Sequence, residues 1–175
     1  MNVMADTVHQ KAGYLRDAVF AANDGIITTF AVVAGSAGAS LGATVVLILG
    51  FANLFADGFS MAAGTYLGVK SEVEYEKGKG TGNLDEGPPI KHGMVTFFAF
   101  NLAGLVPLLP FLFKVESNFQ ISTILVGLSL FGVGLAKSVY AKRNIVKSSI
   151  ESFLVGGFAA FVAYIIGFIV KRFVV

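Results

Sequence analysis

Cysteine and tryptophan are absent from this chain of 175 residues. The lack of cysteine excludes disulfide bonds and cysteine-based zinc or iron–sulfur sites. Charged residues are few, at 14%, whereas hydrophobic residues make up 55% and the mean hydropathy is +0.75. These values predict an integral protein of the lipid bilayer. The net charge of +2 is too small to indicate a nucleic-acid partner.

Five apolar stretches are each long enough for the roughly 20 residues that a membrane-spanning helix needs. The sequence therefore predicts an all-α integral membrane protein whose five transmembrane helices form one domain, residues 18–175. The expected spans are 18–38, 43–69, 93–113, 119–140 and 150–170.

Polar residues lie mainly at the amino terminus and between the second and third spans. Residues 1–17 form a polar segment without the apolar stretch and cleavage site of a signal peptide. Residues 70–91 are expected to be a short acidic loop, because their glycines and prolines end helices. Pro107 and Pro110 should kink the third span, whose freed carbonyl groups then need local partners.

The basic residues are distributed unequally between the two sides of the five spans. Ten of the 13 lysines and arginines fall at the amino terminus, in segment 70–91 or between the fourth and fifth spans. By the positive-inside rule, the amino terminus and the acidic loop are cytoplasmic, and the carboxyl terminus lies outside or in a lumen. The expected location is a prokaryotic cell membrane, with a vacuolar-type membrane as the alternative.

The second span carries polar groups on one helix face. Asn53, Asp57 and Met61 drift by only about 80° around a helix of about 100° per residue, so they form one stripe. A carboxylate without a partner at that depth costs several kcal/mol. Its presence therefore indicates a pathway for a polar or charged species. By helical rise, Asp24 of the first span lies roughly 9 Å from the cytoplasmic end, against roughly 12 Å for Met61 and 18 Å for Asp57.

These groups make up a candidate set of metal ligands. Carboxylate and amide oxygens suit manganese or ferrous iron, and a thioether favours such ions over magnesium or calcium. If the second helix continues past Lys70, Glu72 and Glu76 share a face at the mouth of the pathway, where a cation would relieve their repulsion. The predicted metal-handling residues are Asp24, Met61, Asp57, Asn53, Glu72 and Glu76.

Each of these residues also has a structural interpretation. Asp24 and Asp57 precede glycines, so their carboxylates could cap backbone amides at local helix irregularities. Methionine in an apolar helix usually serves packing, and glutamates beyond the membrane usually form a solvated face. His9 and His92 stand alone, at no spacing typical of a metal site.

Four motifs, taken together and in order, resemble the vacuolar iron transporter family. They are NDGIITTFAVVAG (23–35), ADGFSMAAGTYLGVKSE (56–72), GLVPLLPF (104–111) and VGGFAAFVAYIIG (155–167). The resemblance implies five spans and a homodimer whose first spans line a central pathway. It also implies export or sequestration of ferrous iron or manganese from the cytosol, driven by a proton gradient. Asp24 matches the first-span carboxylate of the family and Met61 its second-span methionine.

The chain departs from the family pattern at two places. Thr65 stands where many members have a glutamate, and segment 70–91 is far shorter than the glutamate-rich cytoplasmic domain of the better-studied members. The resemblance implies no resident cofactor, because Fe²⁺ or Mn²⁺ is the transported substrate.

Two functions of other classes compete with metal transport by proton antiport. Two intramembrane aspartates could form the acid pair of an aspartyl protease. However, the estimated depths of Asp24 and Asp57 differ by about 9 Å, and the Gly-x-Gly-Asp pattern is missing. A non-transporting membrane scaffold would use the small residues only for helix packing. In the transport hypothesis, Asp57 relays a proton or holds the ion deeper than Asp24.

Overall fold

The protein is an all-helical membrane bundle, as the computed structural model shows for residues 3–80, 86–141 and 145–174. Five helical segments are long and apolar enough to cross a membrane, in agreement with the five expected spans. No strand occurs within the described ranges. The elements are α1 (Val3–Gly38), α2 (Ala43–Lys79), α3 (Pro89–Gly104), a 3₁₀ turn (Val106–Leu108), α4 (Leu109–Leu112), α5 (Asn118–Ala141) and α6 (Ile145–Val174).

The first two helices extend further than the sequence analysis predicted. The polar segment 1–17 is not separate, because α1 begins at Val3 and continues into the first span without a break. Segment 70–91 was expected to be a loop, but α2 is helical through Lys79 and the next helix, α3, begins at Pro89. Glutamates and lysines end the apolar run but are good helix formers, so the helix stops only at Gly80, which has a left-handed conformation.

The prolines break the third span, as predicted. Helix α3 ends at Gly104, and the chain crosses a 3₁₀ turn before the short helix α4. The hydroxyl of Ser122 on α5 donates a hydrogen bond of 2.8 Å to the carbonyl of Pro107. This bond supplies the local partner that a carbonyl in a broken membrane helix requires.

Helix α1 lies at the centre of the bundle and packs against α2, α3, α5 and α6. Its residues Ile26, Phe30 and Val33 form the main core with apolar side chains of α2, α4, α5 and the 3₁₀ turn. Helix α6, in contrast, is almost entirely exposed in the monomer, with Phe158 at 71%. Apolar exposure on this scale is what a surface in contact with lipid requires.

A buried histidine joins the amino-terminal half of α1 to α3. His92 is completely buried, and its Nδ1 lies 2.5 Å from Oδ2 of Asp17 on α1. Its Nε2 donates to the carbonyl of Glu86 at 2.8 Å, while the ring packs against Tyr14 with the centroids 4.4 Å apart. The two histidines that looked isolated in the sequence thus both have carboxylate partners, since His9 pairs with the Glu86 side chain.

We expect His92→Ala to destabilise the protein by about 3 kcal/mol, because it leaves the Asp17 carboxylate buried with only the neighbouring Arg16 as partner. The matched variant His9→Ala removes a more exposed pair and should cost about 1 kcal/mol or less. Circular dichroism during titration with a denaturing detergent measures both free energies of unfolding. Equal losses for the two variants would contradict the structural role of His92.

Candidate metal-binding site

Two Asp-Gly pairs rest on the same turn of α3. Gly25 of α1 packs directly on the backbone of Phe100, where a Cβ atom would overlap the carbonyl oxygen. Gly58 of α2 packs on the Phe100 ring and on the side-chain amide of Asn101, which a Cβ atom would also overlap. Glycine at both positions therefore lets the three helices approach more closely than any other residue would allow.

This packing brings the preceding aspartates to about the same level in the membrane. Asp24 and Asp57 are both partly buried, and each precedes a glycine that contacts Phe100. The estimate that their depths differ by about 9 Å was wrong. It counted residues from supposed membrane edges, whereas both helices extend well past those edges and α3 sets their register.

Neither aspartate serves as a helix cap. Helices α1 and α2 run without interruption through Asp24 and Asp57. Among the residues that the structure describes, no hydrogen bond or ion pair reaches either carboxylate. The local alternative, in which these side chains cap freed backbone amides, therefore does not account for them. The two carboxylates at membrane depth therefore need a positively charged group, ion or proton that is not among the described residues.

Three asparagines are neighbours of the two carboxylates in sequence or touch the glycine that follows one of them. Asn53 lies one turn before Asp57 on α2, and Asn23 immediately precedes Asp24 on α1. Asn101 donates to the carbonyl of Phe97 at 2.8 Å, but its Oδ1 is buried without a partner. Oδ1 of Asn23 and Nδ2 of Asn53 are also buried and unpartnered within the described part of the chain.

An unpartnered buried polar atom costs about 1–3 kcal/mol, so this cluster is suited to a polar or charged ligand. The sequence analysis included Asn53 in the site but missed Asn23 and Asn101. The available signal was an amide within an otherwise apolar span, which is as unusual in a membrane as a carboxylate. What the sequence could not show was that Asn101 touches Gly58.

Met61 lies in the same helix interface but makes apolar contacts. It packs against the small core formed by Ala21, Leu54 and Phe100, and Ala21 is three residues before Asp24. Within one chain these are the contacts of a packing residue. Thr65, which stands at the position where many members of the resembled family have a glutamate, accepts a hydrogen bond of 3.3 Å from Thr96 on α3.

The acidic extension of α2 forms a separate group. Glu72 and Glu76 share one face of the continuous helix, as expected, and neither has an ion-pair partner among the described residues. Glu74 points to the other side, where it lies 4.0 Å from Lys70 and lines a cavity of about 400 Å³ against α3. Fifteen residues separate Glu72 from Asp57, or roughly 22 Å along the helix. The structure therefore does not bring the glutamates into the intramembrane cluster.

One chain offers an incomplete set of metal ligands. Within residues 3–80, 86–141 and 145–174, no three side chains of His, Cys, Asp or Glu converge on one point. The cluster instead combines two carboxylates with amide oxygens, which is an oxygen donor set suited to a hard or borderline divalent cation. Five spans enclosing such a cluster define a multi-pass membrane transporter.

The chain belongs to the VIT family, whose model matches residues 15–86 and 79–168. It is 33% identical to vacuolar iron transporter homolog 3 of Arabidopsis thaliana over 86% of this chain and 80% of that protein. It is 28% identical to the vacuolar iron transporter of Toxoplasma gondii over 88% of this chain and 73% of that protein. The members of this family are transporters, so the aspartyl protease alternative is excluded on this ground and not by the depth argument.

The family match divides at the link between α2 and α3. Its two segments overlap at residues 79–86, which begin at Lys79, the last residue of α2. The alignment with the Toxoplasma protein extends over 221 positions, against 160 for the Arabidopsis protein, although both cover similar shares of this chain. The Toxoplasma protein thus contains additional residues that this chain lacks.

The relatives come from eukaryotes, and their names refer to the vacuole. They therefore give no support to the expected prokaryotic cell membrane. A multi-pass location in a membrane is established by the five spans and the family.

Gly58→Ala should destabilise the protein by about 1–3 kcal/mol, because the added methyl group overlaps the Asn101 amide. Gly64→Ala on the same helix is the matched control, since no atom lies within 4 Å of its added Cβ. This control should be neutral or stabilised by up to about 1 kcal/mol, because alanine is the better helix former. Thermal unfolding in detergent compares the two, and stabilisation of both would disprove the close approach.

Proposed function

We propose that this protein transports ferrous iron, manganese or both out of the cytosol in exchange for protons. The observation that carries this proposal is the pair Asp24 and Asp57, two partly buried carboxylates that precede glycines packed on the same turn of α3 and have no hydrogen-bond or ion-pair partner within the described residues. Two negative charges at membrane depth need about two positive charges to be tolerated. One divalent cation or two protons would supply them.

Because either one divalent cation or two protons can neutralise the aspartate pair, the arrangement supports antiport. When a divalent ion occupies the pair, both carboxylates are ionised; when the ion leaves, protons neutralise the same groups. Asp57 then either relays a proton or holds the ion further along the path. The names of the relatives refer to iron, and the unpartnered amide oxygen of Asn101 adds a neutral donor of the kind that manganese and ferrous iron accept.

We propose that the working unit is a homodimer with the first spans lining the pathway. The stripe Asn53, Asp57 and Met61 is only partly covered by its own chain, and Ser60 beside it is exposed. Exposure of polar groups to lipid at this depth costs free energy. We therefore expect a second copy of the chain to cover this stripe. A second copy would also double the number of carboxylates available to the ion, and Met61 would add a sulfur ligand.

Glu72 and Glu76 would capture the ion before it enters the membrane. They lie on the solvent-exposed extension of α2, on the side that carries the excess of lysine and arginine and is therefore expected to be cytoplasmic. We infer that this extension, which ends at Lys79, acts in place of the larger cytoplasmic domain that the resemblance implies for other members. The pair would raise the local concentration of a divalent cation near the pathway.

The first test is uptake of Fe²⁺ and Mn²⁺ into proteoliposomes with and without a pH gradient. Asp24→Ala should abolish gradient-dependent uptake, because the remaining carboxylate cannot neutralise a divalent ion. Glu116→Gln removes one acid from the exposed link before α5 and should retain the wild-type rate. Full uptake by Asp24→Ala, or no uptake by folded wild-type protein, would favour a non-transporting scaffold.

A second test addresses the proposed capture site. The double variant Glu72→Gln/Glu76→Gln should raise the KM for metal by about tenfold and leave kcat nearly unchanged, since the charges act before the ion enters. Glu74→Gln, on the opposite helix face, should leave KM close to the wild-type value. The capture role is wrong if the double variant lowers kcat instead, or if Glu74→Gln has the same effect on KM.

A further inference from the structure

A cavity of about 820 Å³ lies between the amino-terminal half of α1 and the helices α5 and α6. Its walls are mainly apolar and include Leu15, Val19 and Phe20 of α1 and Val133 of α5. Phe20 is 66% exposed, so the cavity is accessible from the surface of the monomer. The apolar walls and the position within two spans indicate that the cavity opens towards the bilayer.

Three cations surround this apolar cavity. Lys11 and Arg16 of α1 and Lys137 of α5 line it, and no acidic residue is among the described residues that do so. Both lysines lack an ion-pair partner within the described part of the chain. Arg16 uses its Nε–H to bond Asp17 at 3.1 Å, which leaves the four terminal N–H groups of the guanidinium for another acceptor.

Asp17 offsets part of the positive charge through its ion pair with Arg16. Lys11 and Lys137, however, have no acidic partner among the described residues. The Asp17 carboxylate is buried at 8% exposure and its Oδ2 faces His92 on the α3 side of α1. The cavity lies instead on the α5–α6 side of the same helix. Three basic side chains around an apolar groove between membrane helices complement an anionic headgroup attached to an acyl chain.

We propose that this cavity, which we call the α1–α5–α6 groove, binds one anionic glycerophospholipid. Its phosphate lies among Lys11, Arg16 and Lys137, and an acyl chain lies along Phe20 and Val133. A free inorganic anion would satisfy the cations but would leave the apolar part of the cavity unfilled. A zwitterionic lipid would fill the apolar cavity, but the cationic group of its headgroup would be repelled by the three basic residues. This assignment does not depend on the transported substrate.

The lipid would bind the helix that carries the intramembrane carboxylate. Asn23 also lines the groove, and Asp24 follows it directly. The anionic lipid therefore contacts α1 within one turn of the candidate metal site, and its headgroup shares Arg16 with the buried Asp17 of the His92–Asp17 pair.

The absence of tryptophan allows a direct test, because one introduced residue is the sole tryptophan reporter. Phe20→Trp places the reporter in the groove, and Phe158→Trp places a reference on the exposed face of α6. Each full-length variant is reconstituted in vesicles that contain brominated phosphatidylglycerol or, at the same mole fraction, brominated phosphatidylcholine. The measured quantity is the ratio of fluorescence quenching by the two lipids at one site, so differences in depth cancel.

The proposal predicts a quenching ratio of at least about three in favour of phosphatidylglycerol for Phe20→Trp and near one for Phe158→Trp. Lys11→Gln/Lys137→Gln in the Phe20→Trp background should reduce the ratio to near one. Lys171→Gln/Arg172→Gln, which removes two basic residues from the other end of the bundle, should leave it unchanged.

Three results would overturn the proposal. A ratio near one for Phe20→Trp would exclude selectivity for the anionic lipid. An equal loss of the quenching ratio in the Lys11/Lys137 and the Lys171/Arg172 variants would indicate that the protein surface attracts anionic lipid in general. Weak quenching by both lipids at Phe20, compared with Phe158, would show that another protein surface, such as a second copy, covers the groove. Val133→Trp on α5 provides a second reporter in the same groove if Phe20→Trp does not fold.

Discussion

The structure depends on the contact of two Asp-Gly pairs with one turn of α3. Gly25 and Gly58 have no side chains, so α1 and α2 reach the backbone and side chains of Phe100 and Asn101. This close approach brings the two preceding carboxylates, one from the first span and one from the second, to the same turn of α3. The glycines therefore determine the geometry of the site, while the aspartates determine its charge. The cost of that charge in a membrane is what a bound cation would remove.

Helix α1 performs several roles on different faces. One face carries Asp17, which is joined to the buried His92 of α3, and another carries the basic residues of the α1–α5–α6 groove. Further along the helix, Ile26 and Phe30 belong to the main core. A movement of α1 would therefore alter the packing of the bundle, the environment of the intramembrane aspartate and the groove together.

Sequence reasoning predicted individual elements and residue types more successfully than their spatial relations. Hydropathy identified the five spans, and the rigid φ angle of proline predicted the break near Pro107. The loop expected from Lys70 was wrong because charge ends membrane burial but does not end a helix, and α2 continues to Lys79. The depth difference between Asp24 and Asp57 was wrong for a related reason, since the register of two helices depends on what they pack against.

The sequence by itself determined that this is a five-span membrane protein with carboxylates at membrane depth, because hydrophobicity and charge are properties of single residues. It also identified the family through motifs that the family model matches. Only the tertiary structure decided that Gly25 and Gly58 meet the same turn of α3, that Asn101 touches Gly58 and that His92 is buried against Asp17. These relations depend on which helix faces meet, and helices far apart in the chain meet through the small residues and shapes of their surfaces rather than through any local pattern.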